Sequence, residues 1–355
     1  MLRIFILILP FVLSTCSSFS KKHKIEENSF SKSFSDLPAT EQKIYLENPI
    51  DFLSWTLNKT KDAFISPLPN TLANEWPKIL VYGDLRSDDV LMFPKTNSPR
   101  YRAFYRLENS FEATLIWDLF TLSVNSEFIA NYLRLGEIST ESCLKNYASA
   151  LKNLSENKGV SSPAPDLNYS WTPLDTPNSE KIPELESPFA ENLAKKFTQK
   201  WKVLSTSYNA RDPKNRMTRI LIDEKNDIWR FAPLSSLESC AKLGNAVAQY
   251  APGGSKHCVK IPEQGFFLLE HFPSGTQQLS LMSLQSGEDL NKLQNDFCRY
   301  IAKGHAQALS QSEKRKVYYL LMKHPTWSSR FANDVHRHAS EALDAYRLSL
   351  QKLPK

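Results

Sequence analysis

Between Ser286 and Leu350 apolar residues return at every third or fourth position, in three successive runs. This spacing constrains the fold more than any other feature. Each run is one face of an α-helix, and each face needs a surface to bury against. The first carries Leu290, Leu293, Phe297, Tyr300 and Ile301. Ser286 caps it, and Glu288 and Asp289 occupy its first turn, where the helix dipole favours acids. Ser310 with Glu313 has the form of a capping box opening a second helix, which stops at His324-Pro325. The third carries Trp327, Phe331, Val335, Ala339, Ala342, Tyr346 and Leu350. The stripes are read as core, in preference to a groove for a partner.

Upstream, the pattern is mixed. Lys78–Tyr82, Val90–Phe93, Tyr101–Leu107, Met217–Ile222, Ile228–Phe231, His257–Ile261, Phe266–Phe272 and Leu279–Leu284 are short and apolar or aromatic, and read as strands. Asp223 to Asp227 reads as a hairpin turn. Asn48-Pro49 opens a helix, and Ser126–Leu135, Thr140–Asn157, Phe189–Val203 and Ser236–Tyr250 read as helices. Thr114–Val124 fits a strand or a buried helix equally, because a short apolar run has no decisive period. The expected fold class is α+β: mixed helices and antiparallel strands with a helical C-terminal segment.

Met1-Leu2-Arg3 places one positive charge before an apolar run, Ile4 to Leu13, closed by Ser14, Thr15 and Cys16. This is the layout of an export signal. The run is about half the roughly 20 helical residues that a hydrocarbon core requires. Its end, Leu13-Ser14-Thr15-Cys16, resembles the lipobox of bacterial lipoproteins: an apolar residue, two small ones, then the cysteine that is acylated. Thr15 departs from the Gly or Ala usual there. The resemblance implies cleavage of residues 1–15, acyl chains on Cys16, and a membrane as partner. Ser17, where Asp would favour the inner membrane, implies an outer-membrane lipoprotein facing the periplasm. Plain secretion, or a soluble periplasmic protein, is the alternative.

The expected organisation follows: a signal peptide 1–15, a disordered tether 16–38, a first α+β domain 39–158, a Pro-rich linker 159–187, and a second α+β domain 188–355. The tether is mostly Ser, Lys, Glu and Asn. Six prolines fall between Gly159 and Pro188, and Pro both stiffens a chain and lacks an amide donor. A docked loop is the other reading of that stretch, since Tyr169 and Trp171 offer rings to bury.

The net charge of +6 is uneven. Glu191 to Arg230 holds ten Lys or Arg against five acids, with Phe197, Trp201, Tyr208 and Trp229 interleaved. Lys195, Lys196, Lys200, Trp201, Lys202, Arg216 and Arg219 are the candidate contacts for an anionic lipid, a cell-wall polymer or another envelope protein. Nucleic acid is not expected as a partner of an exported chain. A solvated face over core aromatics is the plainer reading.

Ten glycines, with Gly253-Gly254 the only adjacent pair, leave no phosphate-cradling loop. No cofactor and no metal site are expected, since Cys143, Cys240, Cys258 and Cys298 lack Cys-x-x-Cys spacing. In an oxidising compartment these four can form two disulfides. The expected pairing is Cys240 with Cys258 and Cys143 with Cys298, against four free thiols.

Ser255-Lys256-His257-Cys258-Val259-Lys260 distantly resembles the cysteine motif of L,D-transpeptidases. Ser255, Cys258 and Val259 match; Lys256, His257 and Lys260 depart from it. The resemblance implies a cell-wall cysteine enzyme with Cys258 as nucleophile; the family's upstream His-Gly pair is missing, and His257, His271, Lys256 and Lys260 are the neighbours that could activate a thiolate here. Adjacent strand residues point to opposite faces, which sets His257 against that role. Asp84, Asp88 and Asp89 after a short strand could serve as acids or ligands, but read more simply as a turn. His336 and His338, two apart on a helix, diverge. The expected function is therefore a structural or binding role in the envelope, more readily than catalysis. The cysteine-dependent peptidoglycan enzyme is the alternative.

Overall fold

The computed structural model describes residues 28–65, 76–86, 90–93, 101–104, 107–158, 171–173, 192–193, 197, 201–208, 217–250, 256–261, 263–279, 284–323 and 325–352. The elements run in order: α1 (Ser29–Ser35), α2 (Ala39–Leu46), α3 (Pro49–Thr60), α4 (Asp62–Ile65), β1 (Lys78–Val81), β2 (Val90–Phe93), β3 (Tyr101–Phe104), β4 (Phe111–Thr114), α5 (Ile116–Leu133), α6 (Thr140–Ser155), β5 (Trp171–Pro173), β6 (Trp201–Tyr208), β7 (Met217–Asp223), β8 (Ile228–Leu234), α7 (Leu237–Tyr250), β9 (Lys256–Ile261), β10 (Gly265–Phe272), β11 (Gln277–Leu279), α8 (Gly287–Ala308), α9 (Gln311–Lys323) and α10 (Pro325–Lys352). The class is α+β, and the C-terminal segment is helical.

The strands form three antiparallel sheets: β1-β4, β3-β2-β11-β5, and the five-stranded β6-β7-β8-β10-β9. Trp171–Pro173, from the middle of the Pro-rich stretch, is thus a docked strand.

Helix α5 sits at the centre. Its side chains from Ile116 to Ser126 are all buried. A helix that is apolar around its whole circumference belongs in a core, and 18 residues is too long for an ordinary strand. The ambiguous run therefore divides, with Thr114 ending β4 and the rest opening α5. Leu119, Leu122 and Phe128 of α5 share one cluster with Leu144 and Leu151 of α6, Leu290 and Ile301 of α8, and Phe331 and Val335 of α10. The stretches 39–158 and 188–355 therefore contribute to the same core. Each such fully buried aliphatic or aromatic side chain stabilises the fold by about 1.5–3 kcal/mol.

Two local expectations are corrected. The tether assigned to 16–38 is ordered from Asn28. Asn28 caps α1 through Ser31 N–H at 3.0 Å, and its Nδ2 donates to the Glu341 carbonyl at 2.7 Å. Phe30 and Phe34, one turn apart, are buried on α3 and α10 with Phe52, Trp55 and Tyr346. Average composition conceals that pair. The helix placed over Phe189–Val203 gives way to strand at Trp201, which opens β6 opposite Asp223 of β7; the ladder with β7, with a register shift between Val203 and Ser205, is a non-local pairing that the local pattern does not show.

Candidate functional site

The densest buried polar chemistry gathers around Asp118, which is fully buried in the first turn of α5. The Tyr82 N–H donates to both of its oxygens, at 3.0 and 2.9 Å. The Tyr250 hydroxyl donates to Oδ2 at 2.8 Å, and His305 Nε2 lies 3.0 Å from the same oxygen. His305 Nδ1 is 2.7 Å from the Tyr147 hydroxyl. With Nε2 donating to the carboxylate, Nδ1 accepts and Tyr147 donates. Five chain segments thus converge on one carboxylate: the end of β1, α5, α6, α7 and α8.

Burial, and then the Asp118 charge, push both the Tyr147 and Tyr250 phenols well above the usual tyrosine range. Both remain protonated donors. A buried carboxylate is tolerable only when its lone pairs are filled, and here three donors fill them. Gly304, one residue before His305, lets Tyr250 approach: a Cβ there would stand 2.8 Å from Tyr250 Cδ1. Asp118 and His305 have no exposed surface. The arrangement orients groups inside the core and fills the carboxylate's lone pairs; Asp118 and His305 present no atom to solvent.

The four cysteines pair as Cys143–Cys298 and Cys240–Cys258. The first bond is buried between α6 and α8, the second ties α7 to β9. Cys258 therefore carries no free thiolate for nucleophilic attack. The sheet also separates it from the histidines. Cys258 pairs with Leu268, and His257 with Leu269. Leu268 belongs to the main core and Leu269 to a second cluster on the other face, with Phe231 and Phe267. His257 and His271 share that second face. His257 is exposed, while His271 Nε2 lies 2.9 Å from Asp227 Oδ2 and its ring stacks on Trp229 at 4.1 Å. The cysteine–histidine pair weighed for the transpeptidase-like motif is not assembled.

Of the basic aromatic candidates, Lys195, Lys196, Lys200 and Arg216 lie outside the described residues, as does Cys16. Trp201 and Lys202 begin β6 opposite Asp223 and Ile222, and Arg219 stands on β7 opposite Thr206 and Phe231. Arg230, counted in the same basic run, is buried in an ion pair with Glu270 across β8 and β10, so its charge is spent internally. Asp84 is buried; Asp88 and Asp89 lie outside the described residues. His336 is exposed and bonds Glu127, whereas His338 is buried with its Nε2 3.2 Å from Thr56 Oγ1. Among the described residues, no group of His, Cys, Asp or Glu is placed to hold a metal, and no helix is long and apolar enough to cross a membrane.

Sequence reasoning passed over Asp118, Tyr147, Tyr250 and His305. A signal was present: Asp118 is the one charge in Leu115-Ile-Trp-Asp-Leu-Phe120, as Glu270 is the one acid in Gly265–Phe272. A lone acid inside an apolar run marks a buried, partnered charge. Comparison with protein-family models, curated proteins and solved structures finds no match.

Proposed function

We propose that the chain is an exported bacterial envelope protein, anchored by acyl chains on Cys16 at the periplasmic side of the outer membrane, with a binding or structural role. The two cross-links support this reading most. All four cysteines after Cys16 are spent in Cys143–Cys298 and Cys240–Cys258. Such bonds persist in oxidising compartments and are rare in a reducing cytosol. The leader up to Cys16 supplies the route to such a compartment, and stable anchoring takes two or more acyl chains.

The partner in this reading is an anionic envelope component, met by the surplus of cations between Glu191 and Arg230. The cysteine-enzyme alternative draws no support, because Cys258 is bonded to Cys240 and the two neighbouring histidines lie across the sheet. Feeding live cells radiolabelled palmitate tests the anchor: the wild-type protein takes up label and the Cys16→Ala variant does not. Equal labelling of both, or of neither, overturns it.

A further inference from the structure

Helix α9 carries a surface that the reading above leaves unused. Its start is fixed by a capping box: the Glu313 N–H donates to Ser310 Oγ at 3.3 Å, and the Ser310 N–H donates to Glu313 Oε2 at 2.8 Å. Val317 and Leu321 bury into the core. The opposite face shows Arg315, Lys316, Tyr319 and Met322 to solvent. Four large apolar side chains are exposed among the described residues, and two of them, Tyr319 at 57% and Met322 at 40%, lie here. They are three positions apart and so share a face.

Cations accompany them along α9, with one acid nearby: the Glu156 carboxyl at the end of α6 is held below its usual range by Lys158 first, and by Lys152 and Arg315 more weakly. The helix holds Lys314, Arg315, Lys316 and Lys323 against one acid, Glu313, which is engaged in the cap. Lys152 of α6 adds another, its Nζ 5.5 Å from the centre of the Tyr318 ring. A single exposed Tyr or Met needs no explanation. An exposed aromatic and a thioether beside cations offer an anionic lipid surface both apolar and charged contact, while the main apolar stripe of α9, Val317 and Leu321, stays in the core. A soluble polyanion would engage the cations and gain little from Tyr319 and Met322. A headgroup layer uses both: phosphates meet Arg315 and Lys316, and the Tyr ring sits at headgroup depth with its hydroxyl wet.

We propose that the Arg315–Lys316–Tyr319–Met322 face of α9 docks on an anionic lipid surface. This rests on the envelope reading for its compartment. Only residues 17–27 lie between Cys16 and Asn28, a span of at most about 40 Å when extended. A bilayer holding the anchor is therefore never far from the folded body.

The test is co-sedimentation of residues 16–355, the chain left after the leader is removed, carrying Cys16→Ala in every arm, so that neither leader nor acyl chain contributes. Vesicles are phosphatidylcholine with or without phosphatidylglycerol, at low and high salt. Binding is expected only with phosphatidylglycerol and to weaken with salt. Arg315→Gln with Lys316→Gln lowers the partition coefficient roughly tenfold or more, since each surface cation contributes about 1 kcal/mol. Tyr319→Ser with Met322→Ser lowers it while leaving the salt dependence in place. Circular dichroism confirms that both pairs remain folded. The inference is overturned by no binding, by equal binding to pure phosphatidylcholine, or by both pairs binding like the parent. Loss on Lys202→Gln with Arg219→Gln instead moves the contact to the five-stranded sheet and also overturns it. A palmitate-labelling failure is separate, because Cys16 is absent from this assay.

Discussion

His305 Nε2 stands 3.0 Å from Asp118 Oδ2, with neither side chain exposed. The contact joins α8 to α5, while Tyr147 and Tyr250 bring in α6 and α7. Removing the acceptor leaves the Tyr82 N–H, the Tyr250 hydroxyl and the imidazole without it in a dry core. Asp118→Ala is expected to cost about 3–5 kcal/mol, at roughly 1–3 kcal/mol for each buried donor left unpaired. The urea midpoint measures it, and a loss below about 1 kcal/mol would show that the cluster is not the core's polar keystone.

Gly304→Ala tests the packing beside that cluster. Alanine favours a helix interior by about 1 kcal/mol. The new methyl, however, would meet the Tyr250 ring at 2.8 Å and the Gln249 carbonyl at 3.3 Å. Tyr250 cannot retreat without losing Asp118. Overpacking of about 1–3 kcal/mol should outweigh the propensity gain, so the melting temperature falls. A rise would mean that Tyr250 has room to move.

The cross-links should differ in weight. Cys143–Cys298 closes a separation of 155 residues and Cys240–Cys258 one of 18. Loop-closure entropy then gives about 4–5 kcal/mol for the long link and about 3 for the short one. Cys143→Ala with Cys298→Ala should lower the denaturant midpoint further than Cys240→Ala with Cys258→Ala. The reverse order would contradict an origin in the unfolded chain.

His338 supplies a pH dependence. Burial first, and then the nearby Arg337 charge, lower its pKa from 6.5 to about 4. Its surroundings are the Phe30 and Phe120 rings and Thr56 Oγ1. The folded value lies below the unfolded one, so the unfolded chain binds this proton first. The stability contribution is complete above pH 6.5 and is lost as the pH falls towards 4, to a limit of about 3 kcal/mol. His338→Gln should flatten the slope of stability against pH in that window relative to wild type. Parallel slopes would place the imidazole in contact with water.

The helices were legible where period and caps agreed. Ser286 and Asn48 cap as their sequence contexts suggest, and of Ser139 and Thr140, both able to cap α6, Ser139 does so, because capping is a local matter of one side chain and one amide. Thr114–Val124 was not legible. Its residues are buried on every side, and only the finished core shows that Thr114 ends β4 while Ile116 onward forms α5. The cysteine pairing was open to inference from parity and compartment, but which faces His257 and Cys258 take depends on strand register, a non-local quantity. The partners of Asp118 lie 36, 132 and 187 positions away, and no local pattern could join them.

Export, anchor and anionic partner all require a leader removed at Cys16 and an oxidised body beyond it. The intact mass of the purified, unreduced protein reads both at once. A chain of residues 16–355 is predicted, heavier by its acyl groups and lighter by the four hydrogens of two disulfides. A chain that begins at Met1 with its thiols free would contradict the export, the anchor and the proposed anionic partner together.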